Sequence, residues 1–193
     1  MKLILASQSP RRKRLLEDAN IPFEIVIVPT DEQYPAELDY TLVPEYIAKE
    51  KAKAVAEQLK AANQVEEDTI ILAADTIVVL KGNIIGKPKD RTDAIHILNA
   101  LSGKMHEVIT GVSLLQGTRE ESFHSLTKVH FNQLTQEQIE FYIDNYKPFD
   151  KAGSYAIQEW IGLIGISKIE GDLYNVIGLP INKVAAVLNS FSK

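Results

Sequence analysis

The chain has 193 residues, 45% of them hydrophobic and 24% charged, with a net charge of −5 and no cysteine. That length suits one well-buried α/β domain and is short for two independent cores, so residues 1–193 are read as a single domain. The acidic balance argues against a protein that coats nucleic acid, and the missing cysteines rule out disulfides and thiol nucleophiles. No apolar run reaches membrane-spanning length, which together with the cysteine count gives a cytoplasmic reading.

In chain order, residues 2–6 read as a buried strand, and Ser9-Pro10 as the cap and first position of a helix ending near Asp18 or Ala19. Residues 23–28 form a second strand. Residues 43–62 form a long amphipathic helix with Tyr46, Ile47, Ala54, Val55 and Leu59 on its apolar side and lysines opposite. A strand follows at 69–74, then a hairpin pairing 77–80 with 84–85 through a turn at Gly82-Asn83, and a helix from 92 to 101. Residues 107–132 make a long hairpin turning at Gly117-Thr118. Thr135 caps a helix to Tyr146, residues 163–169 form a last strand, and Leu179-Pro180 opens a helix ending near Phe191. The pattern is that of a mixed-sheet α/β protein.

Two places carry unusual charge. Asp75-Thr76 interrupts an apolar run, 70–79, where a buried strand continues; a carboxylate in such a place usually serves chemistry. Arg11-Arg12-Lys13-Arg14 crowds four cations into a helix start, where the macrodipole favours acids. A bound phosphate chain reverses that sign, because helix amides and guanidiniums then face one anion; a solvated basic patch is the plainer alternative.

The segment 82–88 is not a phosphate-binding P-loop: its spacing is one residue short, and Pro88 stands in place of the Ser or Thr. Lys87 is either an ordinary loop lysine or a point charge on a fixed turn. Glu32 and Asp75 offer oxygens to a hard divalent ion such as magnesium or manganese. His96, His106, His124 and His130 lack metal-ligand helix spacing and are read as structural or surface groups. Ser7, Ser9 and Ser102 lack the nucleophile-elbow pattern.

The blocks 5–12 (LASQSPRR), 74–78 (ADTIV), 86–88 (GKP), 101–103 (LSG), 110–112 (TGV), 150–158 (DKAGSYAIQ) and 175–180 (NVIGLP), in this order, resemble the Maf family of nucleoside triphosphate pyrophosphatases. The resemblance implies an α/β, inosine-triphosphatase-like domain with a mixed twisted sheet and two lobes around a cleft. It also implies metal-dependent cleavage of a nucleoside triphosphate to monophosphate and pyrophosphate, water attacking the α-phosphorus. By the same resemblance Asp75 is the proton acceptor and, with Glu32, a metal ligand. Arg11, Thr76 and Gln158 select the base, and Ser7, Arg12, Lys51 and Lys87 hold phosphate.

Arg, Thr and Gln at the selecting positions resemble the subgroup acting on dTTP and UTP. Gln158 can answer the carbonyl and N–H edge that thymine and uracil share, although an amide can flip and needs a neighbour to fix it. Another base, such as 7-methyl-GTP, and a non-catalytic regulator of cell division using Arg11–Arg14 on nucleic acid are the rival readings. Where the family commonly has glycine, this chain has Glu159, followed by Trp160, which either packs in the core, the favoured reading, or stacks on a base. Gly153 is read as permitting a turn. The expected partner is a small nucleotide, with a homodimer implied by the family and no membrane.

Overall fold

Residues 3–6 and 70–74 are all buried, as expected of central strands covered on both faces. They form β1 (Lys2–Leu5) and β3 (Thr69–Leu80), which pair in parallel with Leu5 opposite Leu72 in this computed structural model. The structure describes residues 2–64, 66 and 68–191. The remaining strands are β2 (Glu24–Ile25), β4 (Asn83–Ile85), β5 (Met105–Gln116), β6 (Arg119–Phe131) and β7 (Ile166–Glu170). Hydrogen bonding orders them β2-β1-β3-β5-β6-β7, with β4 on β3. The pairs β1/β2 and β1/β3 are parallel, β3/β4 and β6/β7 antiparallel, so the sheet is mixed and the fold class is α/β.

The helices are α1 (Pro10–Asp18), α2 (Val43–Ala61), α3 (Arg91–Leu101), α4 (Gln136–Tyr146), α5 (Trp160–Gly165), α6 (Leu173–Ile177) and α7 (Ile181–Phe191). Contacts divide the chain into two compact units. The first takes in the described residues of Met1–Asp75, Thr110–Ser125 and Gly178–Lys193; the second takes in Thr76–Ile109 and Leu126–Ile177. Neither unit is one continuous stretch of chain.

In the first unit, period-two alternation puts Ile4 and Ala6 of the β1 run and Ile71 and Ala73 of β3 on one face, where they pack on Ala52, Val55 and Leu59 of α2. Gly111 of β5 lets the backbone come close to the start of α2, since a Cβ there would overlap Glu45 N and Pro44 C. In the second unit, Leu98 and Leu101 of α3 and Ile139, Tyr142 and Ile143 of α4 pack with Val78, Val129, Phe131 and Tyr155. Thr135 and Gln138 form a reciprocal capping box at the start of α4, as the sequence led us to expect for the cap.

Several elements depart from the sequence reading. The strand expected at 23–28 shrinks to Glu24–Ile25, both exposed, so the apolar letters there do not report a central strand. Strands 69–74 and 77–80 are one strand that runs straight through Asp75-Thr76. The hairpin turn lies one residue earlier, at Lys81-Gly82, both with positive φ (51° and 79°), as a two-residue turn requires. The strand expected at 163–169 begins only at Ile166; residues 160–165 are helical, with Ile161 and Gly165 buried on one side and Leu163 turned out. Its Ile-Gly-Leu-Ile-Gly run fits either period when read alone. Helix α6 carries too short a pattern to be seen in advance.

Candidate active site

The site in the first unit is built where β1 gives way to α1. Ser9 caps α1, its hydroxyl accepting the Arg12 N–H at 3.4 Å, and Pro10 starts the helix. Ser7 accepts Arg12 Nη1–H at 3.0 Å and the Ser9 N–H at 3.3 Å. Arg12 Nε donates to the Gly178 carbonyl at 2.8 Å, just before Pro180 and α7. The planar fork of one guanidinium therefore joins the Ser7 loop to the Gly178 loop, the latter 166 residues from Arg12 itself. Burial lowers the Arg12 pKa from its ordinary value; the charges of Asp75 and Glu32 oppose that effect, and Arg11 adds to it.

The basic run at 11–14 is not one patch. Lys13 pairs with Glu17 at 3.8 Å and Arg14 with Asp18 at 2.9 Å, one helical turn on, so half of its charge is matched within α1. Arg11 and Arg12 are the two members that are partly buried.

Asp75 follows Ile71 and Ala73 on the face of β3 that packs on α2. Across from that face, Ile47, Lys51, Val55 and Leu59 recur at four-residue steps along α2, so Lys51 stands inside the apolar stripe. This corrects the expectation that the α2 lysines lie on the opposite face. Lys51 Nζ lies 2.8 Å from Asp75 Oδ1 and 2.6 Å from Glu32 Oε1. The side chains of Lys51 and Asp75 are only 17% and 15% exposed, whereas Glu32 is half-exposed. Two carboxylates thus converge on one ammonium, and the triad keeps one net negative charge. Breaking a pair this sheltered leaves a charge poorly solvated, which costs more than losing a surface pair.

In the second unit, Thr76 is partly buried on β3, and Lys87 is exposed in the loop between β4 and α3. Gly86 accepts the Gly153 N–H at 3.1 Å, which ties that loop to the 150–158 segment. Gly153 has φ of 70°, and a Cβ on it would meet Val78 Cγ2 at 2.9 Å, so the turn expected there is present and needs glycine. Gln158 is exposed beyond the buried residues Tyr155, Ala156 and Ile157. Trp160 is partly buried against the core of this unit, its ring 4.7 Å from that of Phe141.

Ser102, His106, His124 and His130 have structural partners, and His96 is exposed on α3. Ser102 accepts the Leu134 N–H at 2.8 Å, and buried His106 Nε2 meets Tyr155 Oη at 2.7 Å. His130 pairs with Glu170 and His124 with Glu45. Three polar side chains were missed from sequence: Tyr142, Lys151 and Asn175. Asn175 is fully buried and donates to Val108 O at 3.0 Å and to Thr127 Oγ1 at 2.9 Å. A lysine next to an aspartate in sequence gives no sign of burial, yet Lys151 is 8% exposed between Asp150 and Glu159.

The profile of the Maf family, described as Maf-like protein, matches residues 2–191. The chain belongs to the Maf family. Among Maf relatives, a "dTTP/UTP pyrophosphatase" of Cytophaga hutchinsonii is 49% identical over 182 residues, 94% of this chain and 80% of the relative. Proteins of the same name from Porphyromonas gingivalis and Bacteroides thetaiotaomicron are 43% identical over 193 residues and 44% identical over 184. Those alignments cover 100% and 95% of this Maf chain and 95% and 92% of the relatives. Among solved structures, the Staphylococcus aureus Ham1 protein matches with a TM-score of 0.45 and 14% identity over 68% of this chain and 72% of its own.

Proposed function

We propose that this protein is a nucleoside triphosphate pyrophosphatase that hydrolyses dTTP and UTP to the monophosphate and pyrophosphate. Membership of the Maf family and relatives named for that activity support it. The observation that carries the site assignment is the Lys51 ammonium shared by Glu32 and Asp75 inside the apolar stripe of α2. Hydrophobic packing alone gives no reason to hold two acids and a base there.

In this reading water attacks the α-phosphorus and gives up its proton to Asp75 as the new P–O bond forms and the bond to the β-phosphate oxygen breaks. Arg12 is held by Ser7 and Gly178 before substrate arrives, so its charge is preorganised against a phosphate at little cost of reorganisation. Lys51 supplies a second fixed cation and steadies the Asp75 carboxylate. Arg11, Ser7 and Lys87 complete the proposed phosphate- and base-binding set, with Thr76 and Gln158 assigned to base selection.

In the same reading Glu32 and Asp75 are the carboxylates that would hold a divalent cation. The oxygens that meet, Glu32 Oε1 and Asp75 Oδ1, are both on the Lys51 ammonium, so a metal would take the pair's other oxygens or displace that ammonium, and no group of three or more His, Cys, Asp or Glu able to cage an ion is found among the described residues. Such a pair suits magnesium or manganese, which keep waters and take phosphate oxygens as further ligands. Bound there, the cation would neutralise charge building on the phosphates.

The same reading treats residues 1–193 as one domain. Its support is that both compact units are discontinuous in sequence and that the family match runs from 2 to 191. It also takes the chain to be cytoplasmic and homodimeric; no described helix is long and apolar enough to cross a membrane. Sedimentation velocity tests the dimer.

Turnover across a panel of nucleoside triphosphates, including 7-methyl-GTP, with separate detection of pyrophosphate and orthophosphate, tests the function. We expect pyrophosphate, fastest from dTTP and UTP. Orthophosphate as the product, or a preference for 7-methyl-GTP, would sink the reading.

A further inference from the structure

Gln158 is the third residue of a tight turn closed by the Glu159 N–H donating to the Ala156 carbonyl at 3.1 Å. A single hydroxyl holds both ends of that turn. Tyr142 Oη accepts the Ala156 N–H at 3.1 Å and donates its own proton to the Glu159 carboxylate. Tyr142 is fully buried on α4, so the hydroxyl's position is fixed by packing. The other oxygen of Glu159 lies 3.5 Å from Lys151 Nζ, and Lys151, itself buried, also meets Asp150 at 2.8 Å. The Lys151 carbonyl accepts the Ser154 N–H at 3.1 Å, which carries the brace into the Gly153 turn.

An exposed glutamine has three side-chain torsions, and its amide can present donor and acceptor either way round. Discrimination between uracil and cytosine therefore needs a neighbour to fix the amide, and a backbone turn held in one place is what keeps the side chain within reach of that neighbour. The bonds at the two ends of the Gln158 turn come from Tyr142 and Glu159.

We propose that Tyr142, Glu159 and Lys151 are positioning residues that lock the Gln158 turn and thereby set base selectivity. The inference rests on the proposed pyrophosphatase reading, with Gln158 at the base. Tyr142 and Glu159 hold the two ends of the turn, and Lys151 keeps the Glu159 carboxylate compensated in a sheltered place. All three act through the turn, so their loss acts on base recognition and spares the chemical step.

The test uses the full chain with UTP and CTP, reading pyrophosphate release, in Tyr142→Phe, Glu159→Ala and Glu159→Gln. Tyr142→Phe keeps the packed ring and removes the hydroxyl. Glu159→Gln keeps an acceptor for it. With Tyr142→Phe and Glu159→Ala we expect KM for UTP to rise about tenfold and the UTP-to-CTP ratio of kcat/KM to fall about tenfold, the scale of one hydrogen bond lost, with kcat for UTP within about threefold. Glu159→Gln should retain more of the ratio than Glu159→Ala.

Folded variants, judged by circular dichroism, that melt earlier but keep the wild-type ratio would overturn the inference, since that is what a merely structural brace does. A fall in kcat with the ratio kept would overturn it as well. Should Tyr142→Phe not fold, the Glu159 pair decides by itself. A wild-type chain that releases pyrophosphate from no nucleotide defeats the functional reading first, which separates that failure from this one.

Discussion

Lys51 Nζ sits 2.8 Å from Asp75 Oδ1, bridging a helix and a strand whose other facing residues are apolar. The pair is one of opposite charges sheltered where the helix packs on the strand, and Glu32 meets the same ammonium from outside.

Replacing Lys51 with Met should keep the apolar packing of the stem and remove the charge. Pyrophosphate release, measured as kcat/KM for UTP, should fall about 10²-fold, the usual scale for losing one preorganised charge partner. Chemical denaturation should show a stability loss of about 1–3 kcal/mol from the carboxylate left sheltered and unpaired.

Asp75→Asn should fold and melt close to wild type, because the amide keeps the shape and can still meet Lys51 through its oxygen. Turnover at saturating magnesium should drop by about 10²–10⁴-fold, the range for loss of a general base. Near-normal turnover would remove Asp75 from that role.

Arg12→Lys keeps a positive charge but cannot bond Ser7 and Gly178 together with one planar group. Urea denaturation should show a loss of about 1–2 kcal/mol for the broken hydrogen bonds, and KM for UTP should rise. An Arg12→Lys protein as stable as wild type would mean that the guanidinium fork does not join the two loops.

His106 gives a pH dependence with a definite sign. Burial pushes its pKa down from 6.5 to about 4, and its ring is held by Tyr155, whose own pKa burial raises. Below 6.5 the unfolded chain takes up a proton that the folded chain refuses. The contribution is therefore complete above 6.5, declines as pH falls and is gone below about 4, a total of about 3 kcal/mol. Denaturation midpoints at pH 7, 5.5 and 4.5 should show that decline, and His106→Asn should flatten its share.

Gly111→Ala should be among the most damaging single changes. Its Cβ would overlap backbone atoms of Pro44 and Glu45, which no rotamer change relieves. A loss of about 3 kcal/mol or more is expected, seen as insoluble expression or a much lower thermal midpoint. A normal melting curve would show that α2 can move away from β5.

Much of the candidate site was legible in the chain because some residue types sit badly where the pattern puts them. Asp75 breaks an apolar run, and the Ser9-Pro10 cap marks a helix start whatever surrounds it. Lys51 was also legible in principle, four residues from both Ile47 and Val55, but a row of lysines hides which one lies on the buried stripe. The strand expected at 163–169 misled because alternating and helical periods coincide over so few residues.

By itself the sequence determined the mixed α/β class, the extent of most helices and the acid inside the β3 apolar run, since caps, periodicity and charge act over a few neighbouring residues. Only the tertiary structure decided that Lys51 is shared by Glu32 and Asp75, that Arg12 reaches Gly178 and that Tyr142 grips the Gln158 turn. Those partners are far apart along the chain, and which of many acids or carbonyls a long side chain meets is settled by how helices pack on strands.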